Sequence, residues 1–214
     1  MERYKKNIEL LQNNNVYSKE MEHDACGVGL VASTQGKKSR EVVEYGIEAL
    51  KAVWHRGAVD ADGKTGDGAG IHLEIPKDFF IEKIEITGHK FDNAEICVGM
   101  IFLPRNNFES QETSRTIIER ELTKSNFSIY GWRQVPVNPK VLGEKADSTR
   151  PEIAQVLFKH NDIDLNGKDL ERRLYETRRK IENEAIKNSL DGLYICSLSS
   201  KSIIYKGMFL AESI

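Results

Sequence analysis

Three thiols and one aspartate-rich glycine loop are the features of this sequence best equipped for chemistry. The cysteines, Cys26, Cys97 and Cys196, are odd in number and form no Cys-x-x-Cys pair. A disulfide framework wants an even set and a zinc ribbon wants paired spacings, so neither fits. Cys97 in "EICVGM" and Cys196 in "LYICSL" stand inside apolar runs, where a free cysteine serves as a small hydrophobe. Cys26 differs. In "HDACGVGLVAS" it marks the point where a polar segment ends and an apolar run begins, which puts its side chain at the open end of a strand. Two readings stay open here on these grounds alone: a hydrophobe at a strand start, or a nucleophile. Gly27 and Gly29 beside it let backbone or substrate come close to the sulfur.

The loop "HRGAVDADGKTGDGAG" carries three aspartates and almost no apolar side chain. It is not a phosphate loop. Five residues separate Gly57 from Gly63-Lys64-Thr65 where four are required, Ala58 occupies a glycine position, and aspartates repel phosphate. Nor is it an EF-hand, because Lys64 breaks the acidic alternation begun by Asp60 and Asp62. The histidines at 23, 55, 72, 89 and 160 show no metal-ligand spacing, so no metal site is expected.

The elements that must position these groups follow from the hydrophobic periods. Residues 1–25 read as a short polar helix (Glu2 to Gln12) and a loop with little to bury, a leader in appearance. Gly27 to Ala32 suits a buried strand, and Lys38 to His55 carries apolar residues at helical spacing. "IHLEIP" reads as a strand stopped by Pro76. "AEICVGMIFLP" (Ala94 to Pro104) is a buried strand, Ser114 to Asn126 a helix opened by its serine, and "FSIYGWRQVPV" a strand bent at Gly131. Gln155 to Asn161 is a short strand. Asp169 to Asn188 is a charged helix with Leu174, Ile181 and Ala185 inward, and "LYICSLSSKSIIYKGM" a hairpin turning at Ser199 to Lys201. Short connections between strands favour a mixed or antiparallel sheet in an α+β domain over a doubly wound one.

With 214 residues, 39% of them hydrophobic and 30% charged, and a net charge of -2, the chain reads as one soluble globular domain. That balance excludes a disordered or nucleic-acid-coating protein. No apolar run approaches the roughly 18 to 20 residues of a membrane span, and residues 1–25 lack the apolar core of a secretory signal. A cytoplasmic location is expected, with neither nucleic acid nor membrane as partner.

"ACGVGLVA" followed by "WHRGAVDADGKTGDGAGI" resembles the amidotransferase domain of the glutamate synthase large subunit, a class II glutamine amidotransferase and N-terminal-nucleophile hydrolase. The likeness continues through "VGMIFLP", "IYGWRQVPVN", "VLGEKA", "RPEIAQVLF", "LERRLYETRRKIE" and "YICSLSSKSIIYKGM", almost the whole chain after Cys26. "HRG" is shared more widely in class II; "DGKTGDGAG" points to glutamate synthase.

The resemblance implies an αββα sandwich of two largely antiparallel sheets, here incomplete on its C-terminal side. It implies a leader, residues 1–25, removed to leave residues 26–214 as amidotransferase domain with Cys26 at the front. The freed α-amine, of ordinary pKa about 7.7 to 8.0, is then the base for the thiol on the same residue. Cys26 would attack the side-chain amide of L-glutamine, release ammonia, and leave a γ-glutamyl thioester for water to hydrolyse. His55, Arg56 and Gly57 would form a supporting turn, although a solvated arginine at a surface turn is the plainer reading of Arg56. Asp67 and Gly68 would shape the same wall. FMN and an iron-sulfur cluster would belong to later domains, leaving no cofactor on this chain.

The family's oxyanion-hole Asn-Gly and carboxylate-binding arginine, in stretches like "HNGEIN" and "HQRFSTNT", do not occur here; Asn166-Gly167 reads as a helix start. Losing even one oxyanion donor costs about 10² to 10³ in turnover. Two accounts follow: a glutaminase component completed by a separately encoded remainder of glutamate synthase, or a non-catalytic remnant or interaction subunit of the same fold. Under either, the isolated chain is inactive and its open sheet edge invites a partner or aggregation. A relative feeding ammonia to a sugar phosphate or phosphoribosyl pyrophosphate is a third, less favoured account.

Overall fold

The computed structural model describes residues 2–14, 27–54, 57–92 and 94–214. Its centre is a four-stranded antiparallel sheet in the order β3-β4-β2-β5, built from β2 (Ile96–Leu103), β3 (Phe127–Gln134), β4 (Glu152–His160) and β5 (Tyr194–Ser199). A second, two-stranded antiparallel sheet joins β1 (Ala69–Glu74) to β6 (Ser202–Gly207). Every one of these pairings is antiparallel, as the α+β reading requires and a doubly wound sheet does not.

The period-two alternation of β2 divides the core. Cys97, Ile101 and Leu103 point to one face, where α4 (Phe108–Lys124) and α6 (Gly167–Lys187) cover them with Ile117, Ile118, Leu122, Leu170, Leu174 and Ile181. Ile96, Val98 and Met100 point to the other, against Phe80 and Ile84 of α3 (Lys77–Ile86) and Ile203 of β6. Both faces of the sheet are therefore apolar, which explains the nearly unbroken hydrophobic run of β2. Helix α2 (Arg40–Ala52) lies against β1 and the short turn at Ala211–Ser213, its Gly46 facing Ile71, with no fully buried side chain. Ser39 caps it by accepting a hydrogen bond from the amide of Val42 at 3.3 Å. Helix α1 (Glu2–Asn13) matches the expected polar helix closely.

Several expectations need correction. Gly27 to Ala32 is not a strand: Val28 and Leu30 are each 92% exposed, and neither sheet offers the segment a neighbour to accept its backbone hydrogen bonds. The "LYICSLSSKSIIYKGM" stretch is not a hairpin either. The chain turns at Ser199 to Lys201, but β5 joins the large sheet and β6 the small one, so the turn crosses between sheets. Helix α4 begins at Phe108, six residues before Ser114, because the side chain of Asn107 accepts from the amide of Ser110 at 2.9 Å. Helix α3 has no counterpart among the elements read from the hydrophobic periods. Its ten residues place Phe80 and Ile84, four apart, on one buried face. The bend expected at Gly131 is present as a bulge that leaves Tyr130 opposite no residue of β4.

Candidate active site

Of the residues singled out for chemistry, Cys26, His55 and Arg56 lie outside the described residues, as do residues 15–25 of the expected leader. Their neighbours do not. Gly27 and Gly57 both line a broad cleft of about 1720 Å³, together with Asp67, Gly68 and residues of β6 and of the 135–142 segment. Met100 and Phe102 of the large sheet also reach this cleft. Lys206 stands over the Tyr194 ring on another part of its wall and donates to the tyrosine hydroxyl at 2.7 Å.

The glycine loop folds back on itself as a short ladder. At its base Ala58 and Asp67 exchange two hydrogen bonds: the Asp67 carboxylate accepts from the Ala58 amide at 2.9 Å, and the Asp67 amide donates to the Ala58 carbonyl at 3.2 Å. Val59 pairs with Gly66, and the Asp60 amide donates to the Thr65 carbonyl at 2.8 Å. At its tip, one oxygen of Asp62 accepts from the amides of Lys64 and Thr65, and the other accepts from the Thr65 hydroxyl at 2.6 Å. The Thr65 hydroxyl bond, followed by those two amides, holds the Asp62 carboxyl down to about 2. Asp60 is also held below its ordinary range, chiefly by the Lys145 ammonium at 2.7 Å.

The three aspartates are thus engaged in holding the loop's shape, Asp60 through Lys145, Asp62 through Thr65 and Lys64, and Asp67 through the Ala58 amide. Asp67 lines the cleft from the loop's base. Gly68 follows it at φ 116, where an added Cβ would come within 3.2 Å of the Gly207 carbonyl oxygen, so both its conformation and its contact with β6 call for glycine. Asn166 is the N-cap position of α6 and Gly167 takes φ 57, the helix start expected there.

Cys97 and Cys196 are buried, and burial pushes both thiols up. They sit in clusters on opposite faces of the large sheet, so they do not form a cluster-binding set. Among the described residues no group of His, Cys, Asp and Glu could hold a metal ion, and no helix is long and apolar enough to cross a membrane.

Sequence reasoning missed Thr65, Gly143 and Lys145, which join the loop to a distant segment. Thr65 had a signal, since an Asp followed three residues later by Thr favours such a side-chain-closed turn. Gly143 and Lys145 lie in the quoted "VLGEKA" stretch, but only the fold reveals what they meet.

An α+β sandwich with a cleft beside a glycine-rich loop is the setting of an amidotransferase, and a sequence model of the class-II glutamine amidotransferases matches residues 26–214; the chain belongs to that family. It is 51% identical over 211 residues to the "Glutamate synthase [NADPH] large chain" of Azospirillum brasilense, covering 99% of this chain and 14% of that protein. It is 39% identical over 203 residues to the "Ferredoxin-dependent glutamate synthase" of Pyropia yezoensis and 34% identical over 203 residues to the large chain of Bacillus subtilis. The chain spans only 14%, 13% and 13% of the length of these three relatives, respectively.

Proposed function

We propose that this chain supplies the nucleophile side of the glutaminase reaction of a glutamate synthase, with Cys26 as the attacking thiol. The observation that carries this reading is that the family match begins at residue 26 and leaves residues 1–25 outside it. Removal of those residues would turn the Cys26 nitrogen from an amide without basicity into an amine of pKa about 7.7 to 8.0. The amine takes the thiol proton, and sulfur attacks the amide carbon of glutamine. The carbon-nitrogen bond breaks, ammonia leaves with the returned proton, and water then cleaves the γ-glutamyl thioester to glutamate and restores the thiol.

The cleft favours a composite site. Small-molecule sites measure about 300–1,000 Å³, whereas this cleft measures about 1720 Å³ and has room for polypeptide as well as an amino acid. In this reading the oxyanion donors and the clamp for the substrate carboxylate come from outside these 214 residues, on the same polypeptide or on a second one. FMN and the iron-sulfur cluster belong to other domains. The names of the relatives favour glutamate synthesis as the fate of the released ammonia over its transfer to a sugar phosphate.

Intact mass and labelling with a glutamine-mimicking electrophile test the proposal on protein from native cells, with any companion polypeptide retained. The expected result is loss of residues 1–25 and a single adduct at Cys26, with Cys97 and Cys196 untouched. A retained residue 25, or an adduct elsewhere, refutes the mechanism. Ammonia release from glutamine by the 214 residues alone would refute the composite site.

A further inference from the structure

The loop that ends at the base pair Ala58 and Asp67 is not held by its own ladder alone. Its tip docks on α5 (Glu144–Ser148), some eighty positions away in sequence, and the fit is close. A Cβ on Gly143 would lie 2.0 Å from a carboxylate oxygen of Asp62 and 2.2 Å from the Thr65 hydroxyl, so only glycine admits the approach. The Thr65 hydroxyl, which donates to Asp62, also accepts from the Ala146 amide at 3.4 Å, and both Thr65 and Ala146 are buried. Lys145 adds its contact to Asp60.

A five-residue helix does not stand by itself, because helix nucleation costs more than so few hydrogen bonds return. Something must anchor α5, and the structure provides it on the far side. Asp147 accepts from Arg150 at 2.8 Å and from Arg105 at 3.4 Å, and Arg105 lies just past the end of β2. A continuous line of contacts therefore runs from a central strand of the large sheet, through Arg105, Asp147 and α5, to Thr65 and Asp62, and down the ladder to Ala58. Gly57 comes next in the chain, then the Arg56 and His55 assigned to the site.

We propose that Gly143 to Arg150 brace the 57–68 loop, so that Thr65, Asp62 and Lys145 are positioning residues that set the wall beside Cys26. The inference rests on the reading of Cys26 as nucleophile. Misplacing a catalytic wall by about 1 Å costs up to about 10²-fold in rate, so releasing the loop should slow reactions that need the glutamine-shaped site far more than reactions that need only an accessible sulfur.

The test compares two reagents on the full polypeptide with its companion: a glutamine-mimicking electrophile and iodoacetamide. Thr65→Val should slow labelling of Cys26 by the glutamine mimic by roughly tenfold to a hundredfold while iodoacetamide labelling changes little, and Thr65→Ser, which keeps the hydroxyl, should restore the rate. Lys145→Met, at an exposed site that does not threaten folding, should give a smaller loss in the same sense, under about fivefold. Equal labelling of Thr65→Val and wild type, or a parallel loss with both reagents, overturns the brace. Failure of Thr65→Ser to rescue also overturns it. A wild-type protein that is not labelled at Cys26 overturns the nucleophile assignment itself, and the inference with it.

Discussion

The two sheets of this molecule are finished to different degrees. The four-stranded sheet is covered on one face by α4 and α6 and on the other by α3 and β6, and its strands carry side chains with almost no exposure, such as Ile101, Val156 and Phe158. The two-stranded sheet alternates half-buried and exposed residues along β1, has α2 beside it without one fully buried side chain, and borders the cleft. Buried packing is concentrated in the first region, and the proposed chemistry lies beside the second. A site that must admit substrate, and under the proposed reading further polypeptide, cannot be closed as tightly as a core; the loop beside it gains its rigidity from polar bonds that reach back to the closed sheet.

Paired truncations should break this contrast if it is wrong. Phe158→Ala removes a ring that packs edge-on to Phe127 at the centre of the helix-covered face, and should cost about 3–5 kcal/mol in denaturant unfolding. Leu50→Ala, on α2 at the rim of the cleft, should cost about 1 kcal/mol or less. Similar losses at the two positions would mean that the outer layer is as well packed as the core. Native-state amide exchange gives an independent reading: amides of β2 should exchange only on global unfolding, and those of β1 through smaller openings.

A second substitution sharpens how the regions are joined. The carboxylate of Glu171 on α6 accepts from the Ser199 hydroxyl at 2.9 Å and from both the amide and hydroxyl of Ser200 at 2.8 Å, just where the chain passes from β5 to β6. Glu171→Ala should cost about 1.5–3 kcal/mol, the range for hydrogen bonds to a charged group, and should speed amide exchange in β6 more than in β4. Uniform loosening of both strands would show that this turn does not act as a joint.

The same contrast governs what could be read from the sequence. Strands β2, β4 and β5 and helix α6 were legible because burial imprints a period on them: Leu174, Ile181 and Ala185 do face inward, and Cys97 and Cys196 are buried hydrophobes. Gly27 to Ala32 misled because an apolar run records a need for burial without recording which neighbour supplies it. The turn at Ser199 to Lys201 misled for a related reason, since two adjacent strands look alike whether they pair or part into separate sheets. The loop aspartates were visible as a cluster, but their partners Thr65, Gly143 and Lys145 depend on a contact some eighty residues apart that no local pattern encodes. The proposed role of Cys26 rests on resemblance, not on periodicity.

The smallest effect is the most specific to the loop. Hydrogen bonds from Thr65 and Lys64 favour the ionised form of Asp62 and hold its carboxyl at about 2, below the ordinary aspartate value of about 3.9. A carboxyl depressed in the folded state contributes stability that is complete above its unfolded pKa and is lost as pH falls through the folded one. The loop's closure should therefore keep its full contribution above about pH 4 and lose it progressively as pH falls from there to about 2. Chemical shifts of the Thr65 and Lys64 amides, followed on acidification, should titrate with a midpoint of about 2. In Thr65→Val the largest cause of the depression is gone, so the Lys64 amide should then report a higher midpoint, while amides on the helix-covered face of the large sheet stay where they were. A wild-type midpoint at the ordinary aspartate value would show that the tip of the loop is open in solution and that its order does not reach back to the sheet.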